Sequence, residues 1–196
     1  MAEVEFLNGI KTFHPKTRKQ WRDWLQKNHH REKAVWLVLY GKGSSTRCIQ
    51  YVEAVEEALC FGWIDSKVIK RDAESRYQYF TRRKSKSGWS KSNRERVARL
   101  IRDGLMAPAG QAMVDLAKRS GTWEAMMDVE NLILPVDLKI RFDKNKKAFE
   151  NFQAFSPSSQ RIILEWILNA KKAETRAKRI DETVKLAARN IKANHL

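Results

Sequence analysis

The sequence is short of most features that would place it in a familiar class. Only two of its 196 residues are cysteine, Cys48 and Cys60, and they do not form a Cys-x-x-Cys pair. A single disulfide at most would be thin support for a secreted scaffold, so reduced thiols and a cytoplasmic protein are the simpler expectation. No apolar run approaches the roughly 18 residues of a membrane span. The first eight residues, Met1 to Asn8, are acidic and lack a long apolar stretch, which argues against a signal peptide. The four histidines, His14, His29, His30 and His195, show no metal-ligand spacing. No metal and no cofactor are therefore expected. Gly41-Lys-Gly43 lacks the spacing of a phosphate-binding P-loop and reads as a flexible strand-to-helix loop. Signatures of the common nucleic-acid-binding modules are missing too, as are internal repeats and low-complexity stretches.

Acidic residues are also scarce, and unevenly so. There are 39 Lys and Arg against 23 Asp and Glu, a formal charge of +16. Residues 66–99 carry twelve basic and three acidic side chains, net +9, and residues 171–192 carry eight and three, net +5. The rest of the chain adds only +2. A charge distribution this lopsided favours a polyanion: nucleic acid, a phosphorylated ligand or an anionic membrane face. The alternative is a basic face that only keeps the protein soluble.

Seven Trp, eight Phe and an apolar fraction of 42% are enough for a folded core. Thr17-x-x-Gln20 opens a helix to about Asn28, with Trp21, Trp24 and Leu25 on its apolar face. Ala34–Tyr40 reads as a central strand. Apolar residues at 51, 52, 55, 58 and 59 have helical spacing, and Gly62 follows as a C-cap. Residues 63–70 and 76–82 read as a hairpin. Beyond Ser85 the chain reads as helical. Ser92-x-x-Glu95 is expected to cap a helix with Val97, Leu100 and Ile101 inward, and Pro108 to begin the next. Ser156-Pro157 opens a helix burying Ile162, Ile163, Trp166, Ile167 and Ala170. A last helix over about 173–191 would bury Ala173, Ala177, Ile180, Val184, Ala188 and Ile191. The expected fold is α+β and predominantly helical. A small sheet of about three strands packs with helices in the N-terminal half, and the C-terminal half is all helical. Two modules follow, 1–135 and 136–196, packed as one unit.

The most informative stretch is Thr81 to Arg94. Arg82, Arg83, Lys86, Ser90, Lys91 and Arg94 lead into a helix start, where free backbone N–H groups and the helix dipole favour an oxyanion. Trp89 offers either a flat surface for a base or guanidinium or a core anchor. Arg176 and Arg179, on one side of the last helix, complete the proposed anion-binding set. Asp65 follows Trp63-Ile64 and has two readings: a general base acting with Arg82 or Arg83 on an acidic substrate, or a structural ion pair or turn cap. Cys60 ends an apolar helix and reads as packing.

Three motifs then carry a resemblance: Glu57-Ala-Leu-Cys-Phe-Gly-Trp-Ile-Asp65, Phe80-Thr-Arg-Arg-x-x-x-Ser-x-Trp-Ser-Lys-x-Asn93, and Phe155-Ser-Pro-Ser with Trp166-Ile, Ala170-Lys and Glu174-Thr-Arg-x-x-Arg179-Ile180. In this order the chain resembles the YdeI/OmpD-associated, or bacteriocin-protection, family of bacterial proteins over roughly residues 34–188. The resemblance implies a helix-rich C-terminal module and a link to survival of antibacterial peptides or to an outer-membrane porin. It supplies no catalytic residues. With no export signal expected, direct porin contact is not. Three functions stay open at this point: a binding protein for an anionic partner, a small-molecule enzyme using Asp65, and an interaction or stress protein without a ligand site.

Overall fold

The computed structural model describes residues 5–41 and 43–194. His195, Lys42 of the glycine loop and the first four residues of the acidic N-terminus lie outside the described residues. The chain divides into two compact units, Met1–Trp123 and Glu124–Leu196.

The first unit is built on a mixed sheet of five strands rather than about three. Strands β1 (Phe6–Leu7) and β2 (Ile10–Phe13) are the additional pair. They are too short to show an alternating pattern. Their signal is the turn Asn8-Gly9, whose residues sit at φ 50° and 73°. A two-residue hairpin loop of this hand needs positive φ at both positions. The chain then crosses through helix α1 (Arg18–Asn28) and returns as β3 (Ala34–Tyr40), parallel to β2, with Thr12 opposite Trp36 and Phe13 opposite Leu37. Helix α2 (Tyr51–Cys60) leads to the antiparallel hairpin β4 (Trp63–Lys70) and β5 (Ser75–Arg82). β5 docks against β3, giving the order β1-β2-β3-β5-β4.

Period-two alternation sends Val35, Leu37, Leu39 and Phe80 to one face, where they meet Trp21 and Leu25 of α1 and Ala58 and Leu59 of α2. Trp36, Val38 and Tyr77 line the other face. Tyr51 and Val52 begin the helical pattern of α2, yet both are exposed. The buried side of α2 runs from Ala54 to Cys60 and takes in Glu56 and Glu57.

Two helices complete this unit, α3 (Lys91–Arg102) and α4 (Pro108–Arg119). The cap of α3 is Ser90, whose hydroxyl accepts from the Asn93 amide, and not Ser92, which is already helical. Val97 and Leu100 are buried, whereas Ile101, one position round the helix from Leu100, is exposed. Gly62 sits at φ 72°, and a Cβ there would lie 2.9 Å from Met113 Cγ. At Gly110 a Cβ would fall 2.1 Å from the carbonyl oxygen of Cys60. Glycine at these two positions lets α4 lie directly on the end of α2.

The second unit is helical: α5 (Met127–Glu130), α6 (Val136–Asp143), α7 (Lys146–Ala154), α8 (Pro157–Leu168) and α9 (Ala173–Ala187). Ser156 caps α8 by accepting from the Ser159 amide, and Pro157 suits the first helical position. Leu138, Phe142, Phe152, Ile163, Ile167 and Ile180 form its core. The buried line of α9 is Ile180, Thr183 and Ala187. Ala173, Ala177 and Ile191, expected inward, are exposed, as is Ile162 of α8. Alanine is apolar but too small to fix which face turns inward; Ile180 does that. No helix of the described residues is long and apolar enough to cross a membrane.

Candidate functional site

The connection from β5 to α3 gathers most of the residues expected to hold an anion, and it sorts them into different roles. Arg82 turns back to the end of α1: Nε donates to the Glu32 carbonyl at 2.8 Å and Nη2 to the His30 carbonyl at 2.6 Å. Arg83 turns inward. It is 7% exposed, and its guanidinium lies 3.7 Å over the ring of Trp89. Nη2 donates to the Gly88 carbonyl, while Nε is buried without a hydrogen-bond partner. Burial pulls the Arg83 pKa down to about 10, and the negative charge of Asp65 acts against that. Trp89 is itself buried and packs on Trp123 at 4.9 Å. It is a core anchor that stacks an internal guanidinium. Arg94 donates to the carbonyls of Trp89 at 2.5 Å and Trp123 at 3.5 Å. Lys86, Ser90 and Lys91 are exposed at the mouth of the connection.

Beside this connection lies a polar corner on the helix-covered face of the sheet. Asp65 of β4 is half-buried. Its Oδ2 accepts from the Tyr51 hydroxyl at 2.6 Å and from the Gln78 amide at 3.4 Å. Burial first, and then the hydrogen bond to Asp65, push Tyr51 up to about 12. The Arg76 guanidinium stands 5.9 Å over the Tyr51 ring, and Arg96 donates to Asn93 Oδ1 at 3.0 Å. Asp65 is therefore fixed in place, with Tyr51 as a donor that stays protonated at neutral pH. Of the two arginines considered for joint chemistry with Asp65, Arg83 feels its charge, while the Arg82 guanidinium is taken up by the His30 and Glu32 carbonyls.

Arg176 and Arg179 belong to the second unit. Arg176 makes a two-pronged pair with Asp137, at 2.6 and 2.9 Å, and donates to the Ile167 carbonyl. Arg179 donates to the Trp166 carbonyl and lies 5.0 Å over its ring. In the glycine loop, the Gly41 amide and the Ser44 hydroxyl both go to Glu74, to its carbonyl and carboxylate respectively. Among the described residues no three His, Cys, Asp or Glu side chains gather as metal ligands would.

One constellation was missed from the sequence. Glu57 is 3% exposed and takes Arg18 Nε at 2.6 Å and Arg22 Nη1 at 2.7 Å. Glu56, 7% exposed, pairs with Arg18 at 3.1 Å and with Arg99. These contacts tie α1, α2 and α3 together. The readable signal was two adjacent carboxylates within an apolar helix, opposite arginines four residues apart at 18 and 22. Cys60 closes the same helix. It is fully buried, and desolvation followed by the charge of Glu57 pushes its thiol up to about 11, which leaves no thiolate for nucleophilic work.

Residues 13–113 match the family described as a Domain of unknown function (DUF8412). Residues 131–190 match the family described as Bacteriocin-protection, YdeI or OmpD-Associated. No curated protein and no solved structure matches the chain. The motifs at 57–65 and 80–93 fall within the first match, and the motif at 155–180 falls within the second. The first match spans just over half of the sequence, so the chain belongs to the DUF8412 domain family and carries a bacteriocin-protection, YdeI or OmpD-associated domain at residues 131–190.

Proposed function

We propose that the protein is a binding protein for a phosphate-bearing or similar anionic partner, held at the β5–α3 connection, in a role linked to the bacteriocin protection named for its second domain. The observation that carries the reading is Arg83. A guanidinium this deeply buried, with no carboxylate in contact among the described residues and one N–H unpaired, is costly unless a further acceptor arrives. A phosphate oxygen would be such an acceptor. The exposed Lys86 and Lys91, the Ser90 hydroxyl and the positive end of α3 supply the rest of the contacts. Arg82 and Arg94 hold the walls in place through backbone carbonyls.

The test is a titration with pyrophosphate, ATP and a short single-stranded RNA at about 50 and about 200 mM salt. Binding that involves several phosphates should weaken about tenfold or more across that range. Lys86→Glu with Lys91→Glu should abolish it, with circular dichroism showing that the helices remain. Absence of binding for all three probes at the lower salt would remove the reading.

A further inference from the structure

A separate cleft of about 330 Å³ opens in the first unit between α1 and the segment entering α4. Arg22, Gln26 and His29 line one wall, and their four- and three-residue spacings put them on one face of α1. Phe61 and the run Ala107-Pro108-Ala109 line the other. The cleft is at the small end of the range for ligand sites, and its mix of a broad apolar wall with a few convergent polar groups is the usual pattern.

The polar groups define what would fit. Arg22 is held by Glu57 at 2.7 Å and by the Leu105 carbonyl at 2.8 Å, and its guanidinium lies 5.4 Å from the Phe61 ring centre. The Cys60 thiol is a third partner, and because a guanidinium has five N–H donors, these three contacts still leave capacity on the side that lines the cleft. Its charge is not cancelled one for one. Glu57 is shared with Arg18, and Glu56 serves Arg18 and Arg99, so two carboxylates face three guanidiniums. Glu53 adds its field at Arg18. His29 is oriented by its own helix: Nδ1 lies 2.9 Å from the Leu25 carbonyl. A carbonyl only accepts, so Nδ1 donates to it, and in the uncharged ring of that tautomer Nε2 is the acceptor. The His29 ring packs on Phe61 at 5.4 Å.

We propose that this cleft binds a small planar organic acid, its carboxylate on Arg22, its flat body along Phe61 and Pro108, and a hydroxyl donor at its far end toward His29 Nε2. The site is independent of the β5–α3 connection and has its own probes.

Binding of 4-hydroxybenzoate, followed by calorimetry and by the imidazole NMR signals of His29, tests it in the full chain. Saturable binding of 4-hydroxybenzoate is expected, with benzoate weaker by about tenfold for the lost hydrogen bond. 4-Hydroxybenzyl alcohol, which has no carboxylate, should not bind. His29→Ala should erase the preference for 4-hydroxybenzoate over benzoate. Arg22 is part of a buried ion network, so the blocking variant is Gln26→Trp, at an exposed position, which fills the mouth and should abolish binding in a protein that melts normally. No saturable binding to the wild-type protein, or binding that survives both His29→Ala and Gln26→Trp, would overturn the assignment.

Discussion

In the first unit the carboxylates of Glu56 and Glu57 are buried beside the guanidiniums of Arg18, Arg22 and Arg99, and a further guanidinium, that of Arg83, lies under Trp89. In the second unit the buried polar residues among those described are only Ser159 and Thr183, and the ion pairs, such as Arg176 with Asp137 and Lys178 with Glu174, lie at or near the surface. The same excess of basic residues thus does different work in the two. A charge taken out of water must be paired or it is expensive, whereas a surface pair is worth little. In the first unit arginine is an internal strut, and in the second it decorates a core that apolar packing already secures.

Substitutions can break or sharpen that contrast. The largest effect is expected for Glu57→Ala, which leaves Arg22 without its carboxylate and Arg18 with only Glu56. A loss of about 3 kcal/mol is expected, the low end for removing one partner of a buried pair, because Arg18 and Arg22 are about a third exposed. Chemical denaturation with hydrogen exchange resolved over α1, α2 and α3 would read it, and a loss below about 1 kcal/mol would show that the network is cosmetic. Gly110→Ala comes next. Alanine favours a helix, but its Cβ would collide with the Cys60 carbonyl, so a net cost of about 1–3 kcal/mol in thermal melts is expected from overpacking. Ser90→Ala should cost about 1 kcal/mol, the worth of a helix cap, while Ser92→Ala, past the cap, should cost less.

The smallest effect belongs to the second unit. The hydrogen bond from Arg176 holds the Asp137 carboxyl below its ordinary range, against the opposing effect of burial. A depressed carboxyl stabilises the fold above its unfolded pKa and loses that contribution as the pH falls through the folded one. Asp137→Asn should therefore cost at most about 1 kcal/mol at neutral pH, because the pair is largely solvated, and the difference from wild type should vanish in acid. Melting curves across the carboxylate range would show it.

Much of the frame was legible in the sequence because periodicity and caps are local. β3 occupies the run read as a central strand, α1 starts after Thr17, the β4–β5 hairpin lies where it was expected, and Ser156 caps α8. What failed was local signal too weak to outvote its surroundings. β1 and β2 are shorter than any alternating pattern, and only Asn8-Gly9 announces them. Two serines two residues apart compete for the start of α3, and Ser90, in extended backbone with its hydroxyl accepting from the Asn93 amide, is the cap. The candidate site was harder. Arg82, Arg83 and Arg94 are alike in sequence, yet one holds the end of a helix, one is buried under an indole and one braces a loop. Which neighbour Arg82 and Arg94 find depends on residues 30, 32 and 123, at distances along the chain that no spacing rule reaches, and Arg83 finds Trp89 only because both are drawn into the core. Glu56 and Glu57 were missed for the same reason: burial of a charge is set by partners on other helices.

The parallel pairing of β2 with β3 has a consequence for solubility. β3 is the most apolar strand of the sheet, and only the short β2, registered at Thr12 and Phe13, stands along one of its two backbone edges. Without that cover, a row of free amides and carbonyls flanked by Val35, Trp36, Leu37, Val38 and Leu39 would invite a strand from another molecule. The brief first hairpin is thus a guard rail against self-association, and a chain shortened past Phe13 should aggregate before it unfolds.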